Sequence, residues 1–226
     1  LSLSARIQDQ ENSTKIERLI DFYFLAKSVV IGEGFQHEID WQDGLRFLDL
    51  QEDVFLREAA WVVLSSGMRE SVIRGKFPAI SRAFHEWTSA SQISANGPTC
   101  RKKAFRIFRH AGKIDSIVEI AKSIDRTGFD SFKQRIGSEG VPFLKSLPFI
   151  GPATCYHLAK NIGLDVVKPD RHLLRISTLV GYSDPTEFCK EISSAVGDRM
   201  CVVDLIVWRY ATLNPGYKNL LTRYFC

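Results

Sequence analysis

The apolar positions of this chain recur mostly three or four residues apart, the spacing of a helix face, and no convincing stretch alternates as a strand does. Thr14 and Glu17 form a T-x-x-E capping box ahead of a long apolar run through Val30, which predicts a first helix beginning there. GEGFQHEID (32–40) breaks that run. A second helix is predicted over 52–66, with Phe55, Ala59, Val62 and Val63 as its stripe. Shorter helices are predicted near 70–76, 78–88, 99–110, 114–124 and 129–136. SANGP at 94–98 and Gly128, Gly137 and Gly140 punctuate them. Later helices are predicted near 152–161, 170–180, 185–196, 200–213 and 217–225. Asp184 followed by Pro185 is a good cap with proline in the first turn. The expectation is an all-α protein of roughly ten helices on short loops.

One connection is stiffer than a helix-to-helix turn requires. LPFIGP at 147–152 has a proline at each shoulder and one glycine. Pro148 and Pro152 restrict φ, and Gly151 is the residue expected to take a conformation others resist. Pro152 would stand at a helix start, with Leu147 and Ile150 packed inward. Amides around Gly151 and at the next helix N-terminus would then point outward and suit a phosphate oxygen. The same residues also fit a plain αα-hairpin with Pro and Gly as punctuation. That next helix ends at Gly163, LDVV runs extended, and Pro169 keeps Lys168 out of the helical region. Asp170 then opens a helix whose inner face is read as Leu173, Leu174 and Ile176. Asp170 reads either as an ordinary N-cap or as a carboxylate held near a bound ligand.

Composition narrows the class without naming a function. The chain has 226 residues, 45% hydrophobic and 25% charged, which fits a globule of one large or two small domains. No apolar run is long enough to span a membrane, and the N-terminus lacks the apolar core of a signal peptide. Leu1 in place of Met leaves open an extension before it. The five cysteines (Cys100, Cys155, Cys189, Cys201, Cys226) are widely spaced, without a C-x-x-C pair. They read as reduced thiols rather than as zinc or iron–sulfur ligands. A net charge of +4 permits a polyanionic partner without requiring one.

LPFIGPATCYHLAKNIG followed by VVKPDRHLLRI resembles the helix-hairpin-helix DNA glycosylases (HhH-GPD), the superfamily of endonuclease III, the adenine glycosylase of oxidised mispairs and the alkylpurine glycosylases. Their signature is L-P-G-[IV]-G-x-x-T-A, with a D-x-H-[IVL]-x-R-type helix start about twenty residues later. Leu147, Pro148, Ile150, Gly151 and Thr154 match the first part, and Asp170, His172, Leu173 and Arg175 the second. Weaker echoes in FLREAAWVVLSSGMRES (55–71), RKKAFRIF (101–108) and VVDLIVWRYA (202–211) extend the likeness over most of 52–211.

The resemblance implies two helical lobes with an active-site cleft between them. One lobe is residues 46–165, ending in the hairpin; the other joins 1–45 to 170–226. It implies a DNA glycosylase of the base-excision-repair type, a monomer that acts on double-stranded DNA carrying a damaged or modified base. Asp170 is the implied catalytic residue. It would assist hydrolysis of the N-glycosidic bond of a flipped-out nucleotide by stabilising positive charge on the sugar and orienting water. Relatives that also cut the strand carry a Lys where Ala153 stands, so a monofunctional enzyme is implied, leaving an abasic site. Alkylated purines are the favoured substrates, with oxidised, deaminated and hypermodified bases open.

DNA contacts are implied at Leu147, Pro148, Phe149, Ile150, Gly151, Pro152, Ala153 and Thr154, and at Met68, Arg69 and Arg171. Phe149 departs from the signature, which has glycine there. Met68 reads either as a wedge between bases or as a core methionine. Arg101, Lys102 and Lys103 read as phosphate contacts or as a solvated face. Phe35, Trp41, Trp61, Tyr156 and Trp208 are aromatics among which no stacking partner is singled out. No cofactor is expected: the four-cysteine iron–sulfur motif is absent, and only a monovalent Na+ or K+ on the main-chain carbonyls of Lys145, Leu147 and Ile150 is implied. The rival readings are a non-catalytic hairpin DNA-binding protein and a bifunctional glycosylase/AP lyase using a displaced lysine such as Lys168, with Lys160 also nearby. The implied location is the bacterial cytoplasm at the nucleoid, or the nucleus of a eukaryote.

Overall fold

The structure, a computed structural model, describes residues 3–225, with side chains from Thr14 onward. Cys226 lies outside the described residues. The described chain is all-α, as the periodicity predicts, and contains no strand. Its helices are α1 (Leu3–Gly32), α2 (Gln36–Gly44), α3 (Glu52–Ser65), α4 (Glu70–Ala83), α5 (Ala90–Ala95), α6 (Gly97–Ile107) and α7 (Ala111–Thr127). They continue with α8 (Phe129–Glu139), α9 (Val141–Lys145), α10 (Thr154–Asn161), α11 (Arg171–Leu179), α12 (Pro185–Val196), α13 (Met200–Leu213) and α14 (Tyr217–Phe225). Short 3-10 turns occupy Phe47–Asp49 and His85–Trp87. No helix among the described residues is long and apolar enough to cross a membrane.

The chain divides into two compact units, residues 46–164 and residues 1–45 with 165–226. In the unit built from both chain ends, α13 packs against α1, α2, α11 and α12. Leu19, Phe22, Tyr23, Ala26 and Val30 of α1 repeat at helical spacing and meet Ile206, Val207 and Tyr210 of α13 in one buried cluster. In the central unit α3 and α5 pack on α7, and α4 packs on α6. Phe55, Phe132 and Phe143 interlock there edge to face, with centroids 5.1 Å apart at each step.

Several boundaries differ from the sequence reading. α1 runs through the Thr14–Glu17 box, which lies in its interior. No proline or glycine stands between residues 3 and 31, so nothing in that backbone forces a start at the box. The segments expected near 70–76 and 78–88 are one helix, α4, with Pro78 inside it. Packing outweighs the lost N–H: Phe77, just before that proline, meets Trp61 edge-on at 5.2 Å and Trp87 nearly parallel at 5.8 Å. Parts of the stretches read as breaks form α2 and α5. Ser89 Oγ caps α5 by accepting from Gln92 N–H, and Gly97–Pro98 of SANGP is the first turn of α6. Leu174, expected on the inner face of α11, is exposed, and Leu173, Ile176 and Ser177 are the buried positions.

Candidate nucleic-acid interface

The hairpin begins with a turn whose register follows from burial. Leu147 and Ile150 are both buried, and Ile150 N–H donates to the Leu147 carbonyl at 3.1 Å. Pro148 and Phe149 are then the two central residues, and Phe149 has φ +65°. Proline followed by a positive φ is the pattern of a type II turn, which normally places glycine second. A Cβ in that region costs about 1–2 kcal/mol. The left-handed residue is therefore Phe149, not Gly151 as expected; Gly151 keeps an ordinary φ.

Gly151 differs from expectation in a second way. Its N–H does not face outward but donates to Thr154 Oγ1 at 2.7 Å, the return half of a capping box. Cys155 N–H bonds the Gly151 carbonyl at 3.0 Å and starts the helical ladder of α10. Pro152 has no N–H, so the amides left open at this helix start are those of Ala153 and Thr154. Ala153 offers no side-chain cap. Pro148, Phe149, Pro152 and Ala153 are exposed. Cys155 is buried, and burial pushes its thiol pKa up.

Residues 149–154, together with Ser66 at the end of α3, line an open cavity of about 520 Å³. The sequence reading missed what holds Ser66. Lys113, at the start of α7, is 2% exposed, and its Nζ donates to the carbonyls of Leu64 (2.7 Å) and Ser66. A buried cation on the last carbonyls of a helix complements its negative end. Burial lowers the Lys113 pKa. The signal was present: Lys113 continues the buried face of α7 set by Ile117, Ile120 and Ile124. His110 caps the same helix, its Nδ1 accepting from Lys113 N–H at 3.3 Å. Its ring stands edge-on to Phe149, 5.5 Å away at 88°. Beyond Ser66 the chain turns at Gly67 (φ +67°), and Met68 and Arg69 follow, both exposed.

Asp170 belongs to the unit formed by the chain ends. α10 closes in a Schellman arrangement, Leu164 N–H on Ala159 O and Gly163 N–H on Lys160 O, with Gly163 at φ +88°. A Cβ on Gly163 would lie 2.6 Å from Phe47 N, so this position is closed to larger residues. Two carboxylates then pin the extended link: Asp165 Oδ1 accepts from Cys201 N–H (2.8 Å), and Asp204 Oδ2 accepts from Lys168 N–H (2.7 Å). Asp170 is the N-cap of α11; its Oδ1 takes His172 N–H at 2.8 Å and Leu173 N–H at 3.0 Å. Arg171 is exposed and donates through Nε to His172 Nε2 at 3.3 Å. His172 Nδ1 is buried without a hydrogen-bond partner, as is the hydroxyl of Tyr217, whose ring centroid lies 6.1 Å from that of His172.

The remaining candidates fall elsewhere. Arg101 pairs with Asp115, while Lys102 and Lys103 are exposed. Lys160 is buried. Phe35 and Trp208 both flank the Arg209 guanidinium, Trp61 and Tyr156 are half-buried, and Trp41 is exposed. Among the described residues no group of three or more His, Cys, Asp or Glu is placed to hold a metal ion. Compared with protein-family models, curated proteins and solved structures, the chain has no significant match.

Proposed function

We propose that this protein is a monofunctional DNA N-glycosylase, which excises a damaged or modified base with water and leaves an abasic site. The observation that carries the reading is the order of parts in 147–172: a rigid exposed hairpin, a helix start with two open amides, a pinned link, and a carboxylate opening the next helix. In this reading the Ala153 and Thr154 amides and the positive end of α10 hold a backbone phosphate without reading sequence. Met68, Arg69 and Arg171 are exposed and available to DNA. Asp170 stabilises the positive charge that grows on the sugar as the base leaves, and orients the attacking water. Its Oδ1 is committed to the cap, so Oδ2 is the oxygen assigned to the sugar. Ala153 supplies no amine, which favours hydrolysis over strand cleavage.

The carbonyls of Lys145 and Ile150 take no internal donor, and that of Leu147 receives only Ile150 N–H. Their second lone pairs fit a monovalent Na+ or K+ that would stiffen the hairpin. The test of function is a panel of duplexes, each with one lesion, assayed for abasic sites. Wild type releases at least one base, and Asp170→Asn releases none while still binding. The cap formed by Asp170 favours a second reading, a hairpin protein that binds DNA without chemistry, because α11 requires a cap there in any case. Binding without release from any lesion by the wild type establishes that second reading. Covalent trapping of abasic DNA by borohydride, lost in Lys168→Met, would instead establish a lyase.

A further inference from the structure

Phe149 is the residue of the hairpin that neither local geometry nor the core explains. Its backbone sits in the left-handed region, where glycine would be unstrained, and the residue is 43% exposed. The ring is nonetheless held in place. His110 meets it edge-on at 5.5 Å, and the Lys113 ammonium lies 5.7 Å from its centroid. Gly112 lies beside the ring, where an added Cβ would make an ordinary van der Waals contact with Phe149 Cε2 at 3.4 Å. His110 is itself held by its bond from the Lys113 amide. A strained, braced and exposed aromatic therefore borders the cavity shared by Ser66 and residues 149–154.

We propose that Phe149 is a stacking platform for one unstacked nucleobase of bound DNA; this deepens the DNA-acting reading above and rests on it. Two features of the cavity match a nucleotide. The aromatic ring offers a flat apolar surface for the base. The open amides of Ala153 and Thr154, residues that line the same cavity, accept the phosphate. Stacking on a ring is tolerant of base identity, because every base has a π face. The contact thus selects DNA with a base out of the helix over fully paired duplex, without choosing the lesion.

The experiment compares wild type with Phe149→Gly, Phe149→Leu and Phe149→Trp on two probes. One is a duplex with a single unpaired 2-aminopurine, and the other is the same duplex fully paired. Wild type and Phe149→Trp quench the 2-aminopurine and prefer the unpaired probe. Phe149→Gly and Phe149→Leu lose the quenching and about tenfold in affinity for the unpaired probe, the scale of one base–aromatic stack, and keep their affinity for the paired one. Phe149→Leu keeps an apolar side chain beside His110, and its thermal melting, expected to match wild type, separates a lost stack from a collapsed hairpin. Phe149→Gly melts no lower than wild type, since it removes the left-handed Cβ. Equal quenching and affinity in wild type and Phe149→Leu overturn the platform while leaving the DNA-acting reading intact. Equal loss on both probes also overturns it. Failure of wild type to bind either probe overturns both.

Discussion

α10 and α11 begin in opposite ways. α11 is closed by a side chain: Asp170 fills two of its first amides. α10 is closed only inward, by Thr154 reaching back to Gly151, and its Ala153 and Thr154 amides are left open, on an exposed and a half-buried residue. A capped start contributes stability, whereas an open one leaves donors for something outside the chain. The pair teaches that two helix starts seventeen residues apart can differ only in what satisfies their first amides, a carboxylate at α11 and nothing within the chain at Ala153 and Thr154 of α10.

The comparison breaks most sharply at Asp170. Asparagine caps as well as aspartate, so Asp170→Asn is expected to leave the melting temperature unchanged while base release falls about a hundredfold or more. Thermal melting and an abasic-site assay on one preparation separate the two. An unchanged release rate would reduce Asp170 to a cap.

Lys113→Met is expected to have the largest effect on stability. It strands the Leu64 carbonyl and that of Ser66, which lines the cavity, a loss of about 2 kcal/mol by denaturant unfolding. The pH dependence has a definite sign. Burial lowers the Lys113 pKa in the folded state, so the unfolded chain binds more protons between that value and the ordinary lysine pKa of about 10.4. Wild type therefore gains stability relative to Lys113→Met as pH rises through that window, and the difference is constant below it. A pH series of unfolding midpoints measures this.

Smaller effects sharpen the contrast between the helix starts. Asp170→Ala removes the cap and is expected to cost about 1 kcal/mol, a drop of about 2–4 °C in melting temperature for a chain of this size. Thr154→Val keeps shape but loses the bond from Gly151 N–H, and is expected to cost about 1 kcal/mol. It also frees a third amide at α10, so phosphate-dependent binding to duplex weakens little. A stronger loss of DNA binding in Thr154→Val than in Asp170→Asn would show that the open amides alone are not what holds the backbone.

The helical class was legible because apolar periodicity is a local property, and α12 to α14 were legible to the residue, as Asp184–Pro185 and the spacing in MCVVDLIVWRYATL imply. The turn at Gly163 was legible too, since a left-handed residue after a helix is usually glycine, but its closeness to Phe47 came from a distant segment. Pro78 misled because a proline's local cost is visible in sequence and the Trp61–Phe77–Trp87 packing that offsets it is not. Lys113 was passed over because a lone lysine reads as solvated until the carbonyls it caps, 47 and 49 residues away, are brought to it.

The sequence by itself determined that the chain is helical, where its stiff hairpin lies, and that an aspartate opens the helix after the next link. Each is written in neighbouring residues through φ restriction, capping chemistry and periodicity. Only the tertiary structure decided which hairpin residue is strained, which amides remain open, and what braces them. Those answers depend on burying Leu147 and Ile150 together: that choice puts the left-handed turn on Phe149, leaves Gly151 bonded to Thr154, and sets the exposed ring against His110.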